Sequence, residues 1–93
     1  MIGILHLFLS IPGCRSLKEK RSNIKPLIHR LHREFNIAIA EMNFQDVWNK
    51  AEIGCACIAN DGIQCEKLLQ SVVNFVPLHF GELEILDYKI EIL

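Results

Sequence analysis

Arg15, Lys18, Arg21 and Lys25 follow one another at intervals of three and four residues, the spacing that gathers side chains onto one flank of a helix. Such a flank can contact the phosphates of a nucleic acid, each contact releasing counterions so that affinity falls with salt. Just ahead of it, Pro12-Gly13-Cys14-Arg15-Ser16 leads into the same helix, where backbone N–H groups and Arg15 could cradle an anion. The remaining reactive side chains carry less. His29 and His32 stand at i, i+3 with no carboxylate or third histidine placed beside them, so no metal is implied and both read as exposed helix histidines. Cys14, Cys55, Cys57 and Cys65 lack the two close pairs of a zinc site. Cys55 and Cys57 read as small apolar core residues, and Cys14 as a loop thiol without a base.

Charge is distributed unevenly. The net charge is only -1, which gives no global attraction to nucleic acid. Between Arg15 and Glu34, however, seven basic and two acidic side chains give +5, and the remainder of the chain carries -6, with Glu82, Glu84, Asp87 and Glu91 near its end. Hydrophobic residues at 51 % and charged ones at 23 % are the balance of a chain that buries a core, and 93 residues fit one domain, 1–93. The apolar start, Met1 to Leu9, has no positive residue ahead of it and is far shorter than the ~20 residues of a membrane span. A cytoplasmic setting with reduced cysteines is therefore expected, with no membrane partner and no cofactor.

These side chains need elements to position them. From Ile4 to Ile11 the chain alternates, with Leu5, Leu7, Leu9 and Ile11 on the core side, as in a strand. Pro12-Gly13 breaks it, and Ser16-Leu17-Lys18-Glu19 has the S-x-x-E form that starts a helix. Leu17, Ile24, Leu27, Ile28, Leu31 and Phe35 form one apolar stripe, and Arg21, Lys25, Lys18, His29 and His32 gather on one flank of it. Pro26 falls opposite the stripe, which predicts one bent helix and not two. Asn36 can close it. Ile37 to Met42 reads as a second strand, Asn43 to Asn49 as a long hairpin loop, and Lys50 to Ala59 as a third strand with Ile53, Cys55 and Cys57 inward. Asp61 or Asn60 caps a second helix carrying Cys65, Leu68, Leu69, Val72 and Val76 until Pro77. The last strand, Leu83 to Ile92, changes phase, which predicts a bulge near Leu86.

The order β-α-β-β-α-β predicts an α+β, ferredoxin-like fold: a four-stranded antiparallel sheet with two helices on one face. The other face is left open and carries Ile4, His6, Phe8, Ala38, Ala40, Ala56 and Ile58, an apolar patch of the kind that marks an interface. In this fold the Pro12–Lys18 loop is placed like the phosphate loop of acylphosphatases. The Q-G-V-x-[FY]-R pattern is absent and no asparagine is clearly placed to orient a water, so no catalytic residues are assigned.

Ile11-Pro12-Gly13-Cys14-Arg15-Ser16-Leu17-Lys18-Glu19-Lys20-Arg21, Phe35-Asn36-Ile37-Ala38-Ile39-Ala40-Glu41 and Asp46-Val47-Trp48-Asn49-Lys50-Ala51 together resemble the YlxP-like family of small bacterial proteins, a domain of unknown function. The resemblance covers essentially the whole chain. It implies a ferredoxin-like fold, a bacterial cytoplasmic protein, and genes that often neighbour those of transcription-elongation, translation-initiation and ribosome-maturation factors. It implies no activity. Arg15, Ser16, Leu17, Lys18, Lys20, Arg21, Asn36, Glu41, Asp46 and Trp48 are the matching positions at which to look for function.

Two functions follow as expectations. One is a non-enzymatic protein bound to RNA or a ribosomal subunit through Arg15, Lys18, Arg21 and Lys25. The other is a homodimeric interaction module that uses the open sheet face and has no nucleic-acid role. Base stacking on the open face is disfavoured, since it offers Phe8 and His6 where such platforms need two or three aromatics. Asp46 is expected to cap its own loop and Trp48 to seal the sheet edge, with binding at the hairpin tip as the alternative.

Overall fold

Leu5, Leu7 and Leu9 take every second place in β1 (Ile2–Ser10) and all three are fully buried, which fixes the face of the sheet that the helices must cover. The computed structural model describes all 93 residues. After β1 come α1 (Leu17–Glu34), β2 (Ala38–Asn43), β3 (Lys50–Ile58), α2 (Gly62–His79) and β4 (Glu84–Ile92). The strands lie in the order β2-β3-β1-β4 with every neighbouring pair antiparallel, which is the ferredoxin-like arrangement. Ile24, Leu27 and Leu31 of α1 and Cys65, Leu69, Val72 and Val76 of α2 join the strand residues in one core. No helix is long and apolar enough to cross a membrane.

Local chemistry sets the ends of the elements. Gly13 turns the chain out of β1 at φ +76°, where a side chain would be strained. Ser16 Oγ then accepts from the Glu19 N–H (3.1 Å), while the Glu19 carboxylate reaches back to the N–H of Arg15 (2.6 Å), one residue earlier than in the standard capping box. α1 runs unbroken through the exposed Pro26 and ends at Phe35, one residue ahead of the expected Asn36. Asp61 caps α2 by accepting from Gln64 N–H (2.8 Å). Pro77 does not stop α2. It sits in the last turn, and the Phe80 N–H still bonds the Val76 carbonyl (2.8 Å).

Two register shifts shape the sheet. Between β1 and β4 the partner of Phe8 is Asp87 and that of Leu9 is Ile85, so Leu86 is the extra residue of a bulge and both Ile85 and Tyr88 fall on the helix side. Between β2 and β3 the shift lies at Met42, and it brings Asn43 opposite Glu52. At the far end of β1, Gly3 lets α2 come close: a Cβ there would stand 2.9 Å from Cys65 Cβ and 3.2 Å from Cys57 Sγ. All four cysteines are free. Burial, reinforced by the neighbouring Cys57, pushes the Cys55 thiol up to about 12. Burial and Cys65 likewise raise Cys57, so these thiols stay protonated and pack as small apolar groups.

The open face holds all seven residues expected on it, in register: Ile4 beside Ala56 and Ala38, His6 and Ala40 beside Gly54, Ile2 beside Ile58, and Phe8 beside Glu52. It is less apolar than the alternation implies. Glu52, an outward residue of β3, is only 7 % exposed. Asn43 Nδ2 donates to its Oε1 (2.7 Å) and His6 Nδ1 lies 3.1 Å from its Oε2. Its neighbours at the sheet surface shield it, and the Asn43 hydrogen bond, followed by that of His6, holds its carboxyl below the ordinary value against the opposing effect of desolvation.

A carboxyl whose pKa is lower folded than unfolded stabilises the fold above its unfolded value of about 4.3, and the contribution is lost as pH falls through the folded value. Urea midpoints measured from pH 6 to pH 3 are expected to fall more steeply for the wild type than for Glu52→Gln. Parallel curves would mean that Glu52 titrates alike in both states.

Candidate functional site

Lys20 lies four, seven and eleven residues before Ile24, Leu27 and Leu31, so the helical period places it on the buried stripe of α1. The structure keeps it there, 2 % exposed. An ammonium in that position requires partners. Its Nζ donates to the Phe44 carbonyl and lies 2.9 Å from Oε2 of Glu41, a residue that shares the inward side of β2 with Ile39. Oε2 is fully shielded and receives no aligned hydrogen bond, so this contact is a charge pairing; the Glu41 side chain as a whole remains 25 % exposed. Phe44 needs such an anchor. It has φ +63°, a left-handed conformation that costs a bulky residue about 1–3 kcal/mol. Its carbonyl accepts from Lys20 and also from the Val47 N–H (2.9 Å).

Lys20 thus ties α1 to the β2–β3 loop, and between the two runs an open groove of about 610 Å³. Leu17, Ile24 and Ile28 supply its apolar surface, Arg21 and Lys25 its cationic wall, and Glu41, Gln45 and Asp46 the wall opposite. Arg21 and Lys25 are exposed and pair with no carboxylate. The helix flank and the hairpin loop therefore contribute to one site.

The other sequence candidates fall elsewhere. Arg15 and Lys18 are exposed at the start of α1 and do not line the groove. The loop before them is closed on itself, because Glu19 occupies the Arg15 N–H and the Cys14 N–H bonds the Ile11 carbonyl (3.2 Å). Glu82 and Glu19 both border the hollow beside it. Arg30 is engaged inside the fold, its guanidinium 5.3 Å above the Phe75 ring and its Nε donating to Glu34 (2.9 Å). Phe75 in turn meets the edge of Phe35 and stacks with His79, joining the two helices. His29 is exposed, and His32 Nδ1 lies 3.1 Å from the Ile37 carbonyl.

Asp46 departs from expectation: it accepts no hydrogen bond from its loop and faces the groove. Trp48 is only half covered, 52 % exposed in the β2–β3 loop. The apolar face keeps its own hollow of about 270 Å³, in which Ile4, His6, Met42 and the small residues Ala38, Ala40, Gly54 and Ala56 take part.

Removing one partner of a shielded ion pair strands the other. Glu41→Ala is expected to lower stability by about 2 kcal/mol, less than for a fully buried pair since Glu41 is partly exposed. Lys20→Met combined with Glu41→Leu is expected to recover most of that loss in urea unfolding. A double variant no more stable than Glu41→Ala would mean that the pair contributes through more than its charges.

The architecture is matched by the de novo designed protein Foldit4, at a TM-score of 0.62 and 10 % identity over 100 % of this chain and 99 % of that one, a likeness of fold alone. In sequence the chain is similar to the uncharacterized protein YlxP of Bacillus subtilis (strain 168), 37 % identical over 84 residues that make up 90 % of each protein. The model of a protein family of unknown function, DUF503, matches residues 2–90, and to that family this chain belongs.

Proposed function

We propose that the protein is a non-enzymatic RNA-binding protein whose contact surface is the groove between α1 and the β2–β3 loop, with the ribosome as the expected setting. The observation that carries this is the pair Arg21 and Lys25, exposed on one wall of a groove with no carboxylate partner of their own. Unpaired guanidinium and ammonium groups on a rigid helix suit phosphate oxygens. The net +5 of the segment that bears them supports the same partner, as does the gene neighbourhood implied by the family resemblance. Lys20 and Arg30, which also belong to that segment, act within the fold and are not counted among the contacts.

A second function, self-association through the open sheet face, is favoured by the small-residue hollow around Gly54 and by Ile58, which is almost wholly in water beside it.

Binding to ribosomal subunits, followed by co-sedimentation, is expected to weaken as salt rises and to fall about tenfold or more in Arg21→Ala/Lys25→Ala. Absent or salt-insensitive binding would overturn the RNA function. Ile58→Glu separates the two functions: it is expected to convert a dimer to a monomer in analytical ultracentrifugation if the sheet face is an interface, and to leave RNA binding unchanged. A wild-type protein that is monomeric throughout removes the second function.

A further inference from the structure

Gln45 and Asp46, which form part of the groove wall facing Arg21 and Lys25, are flanked in the same loop by two exposed aromatics. Phe44 is 43 % exposed and Trp48 is 52 % exposed. The indole N–H of Trp48 bonds nothing within the protein. Large apolar rings in water on a short loop would ordinarily fold back onto the core. Here both rings stay about half exposed, on a backbone that is held in place. Lys20 holds the Phe44 carbonyl from below, Val47 N–H closes a turn on the same oxygen, and the Ile11 N–H holds the Asn49 carbonyl (2.9 Å) at the loop's far end. The rings are presented by a loop tied at both ends.

The two sides of the site differ in chemistry. The helix side is cationic, with Arg21 and Lys25. The loop side repels phosphate, since Glu41 and Asp46 lie on it, but offers carboxylate and amide acceptors, and outside the groove lining the same loop carries the half-exposed rings of Phe44 and Trp48. A single strand of nucleic acid has the same two sides, a phosphate edge and a row of unpaired bases, whereas a duplex turns its bases inward and offers only phosphates and groove edges.

We infer that the groove takes single-stranded RNA, its phosphates on Arg21 and Lys25 and its unpaired bases stacked on Trp48 and Phe44. The inference rests on the RNA function proposed for the same groove. It places base stacking at the hairpin tip and not on the open sheet face, where only Phe8 and His6 are available.

Trp48 is the chain's one tryptophan, so its emission reports on the proposed stack directly. A short single-stranded oligoribonucleotide is titrated into the protein with Trp48 emission followed, and the labelled strand and its duplex are compared by anisotropy at matched salt. Quenching by the single strand is expected, with binding about tenfold tighter than to the duplex. Trp48→Leu is expected to lose about tenfold in single-strand affinity while keeping the salt dependence, and Trp48→Phe to retain most of the affinity. If RNA binds in the anisotropy measurement but Trp48 emission is unchanged, or strand and duplex bind alike, the stacking inference is overturned and RNA binding stands. If no RNA of either form shifts the anisotropy, both are overturned.

Discussion

A lysine two turns ahead of a core leucine ordinarily bends its chain toward water, and Lys20 does not. Its ammonium lies beneath the β2–β3 loop, shared between a strained carbonyl and a shielded carboxylate, and three separate parts of the chain depend on it. The first turns of α1 take their position from it, β2 can carry Glu41 on its inward side because of it, and the loop keeps Phe44 left-handed under its hold. A charge pair of this sort is weak evidence for stability, since desolvating both ions offsets much of their attraction. Its effect is geometric. It makes one orientation of helix and loop better than its neighbours, and the groove between them is the space that orientation leaves.

The sheet divides the molecule into two chemically different halves. On the helix side, leucines, valines and protonated thiols form a close-packed core. On the other, a buried carboxylate is bonded by an amide and an imidazole amid alanines and a glycine. Each half holds one acidic side chain through a partner beside the β2–β3 hairpin: Glu41, partly exposed but with Oε2 shielded, through Lys20, and the buried Glu52 through Asn43. The hairpin is thus fixed from both faces of the sheet.

Most of the fold was legible from periodicity, because period two and period 3.6 are direct consequences of which face is buried. The bulge at Leu86 followed from the phase change between Ile85 and Tyr88. The signal for Lys20 was also present. It sits in phase with Ile24, Leu27 and Leu31, and Glu41 sits in phase with Ile37 and Ile39, so two opposite charges on core positions of adjacent elements already pointed to each other. Grouping Lys20 with the basic residues by charge alone concealed this. Glu52 could not be found in that way, because its outward parity is correct and its shielding comes from cross-strand register, which depends on the shift at Met42. The left-handed turn at Phe44 was not legible for a related reason: no residue there announces such a turn as a glycine would.

The bulge in β4 reaches beyond the core it serves. By admitting Leu86 as an extra residue it sets Asp87, Lys89 and Glu91 on one outward row of an edge strand, next to a local irregularity in the backbone. Another chain approaching that edge meets alternating charges and a broken ladder, the devices by which sheets resist growing by accretion. β2 at the opposite edge has alanines and an isoleucine along most of its length and no charge on the open face. The sheet is therefore closed to extension on one side by its own register, and its two edges are unequal in their readiness to meet another strand.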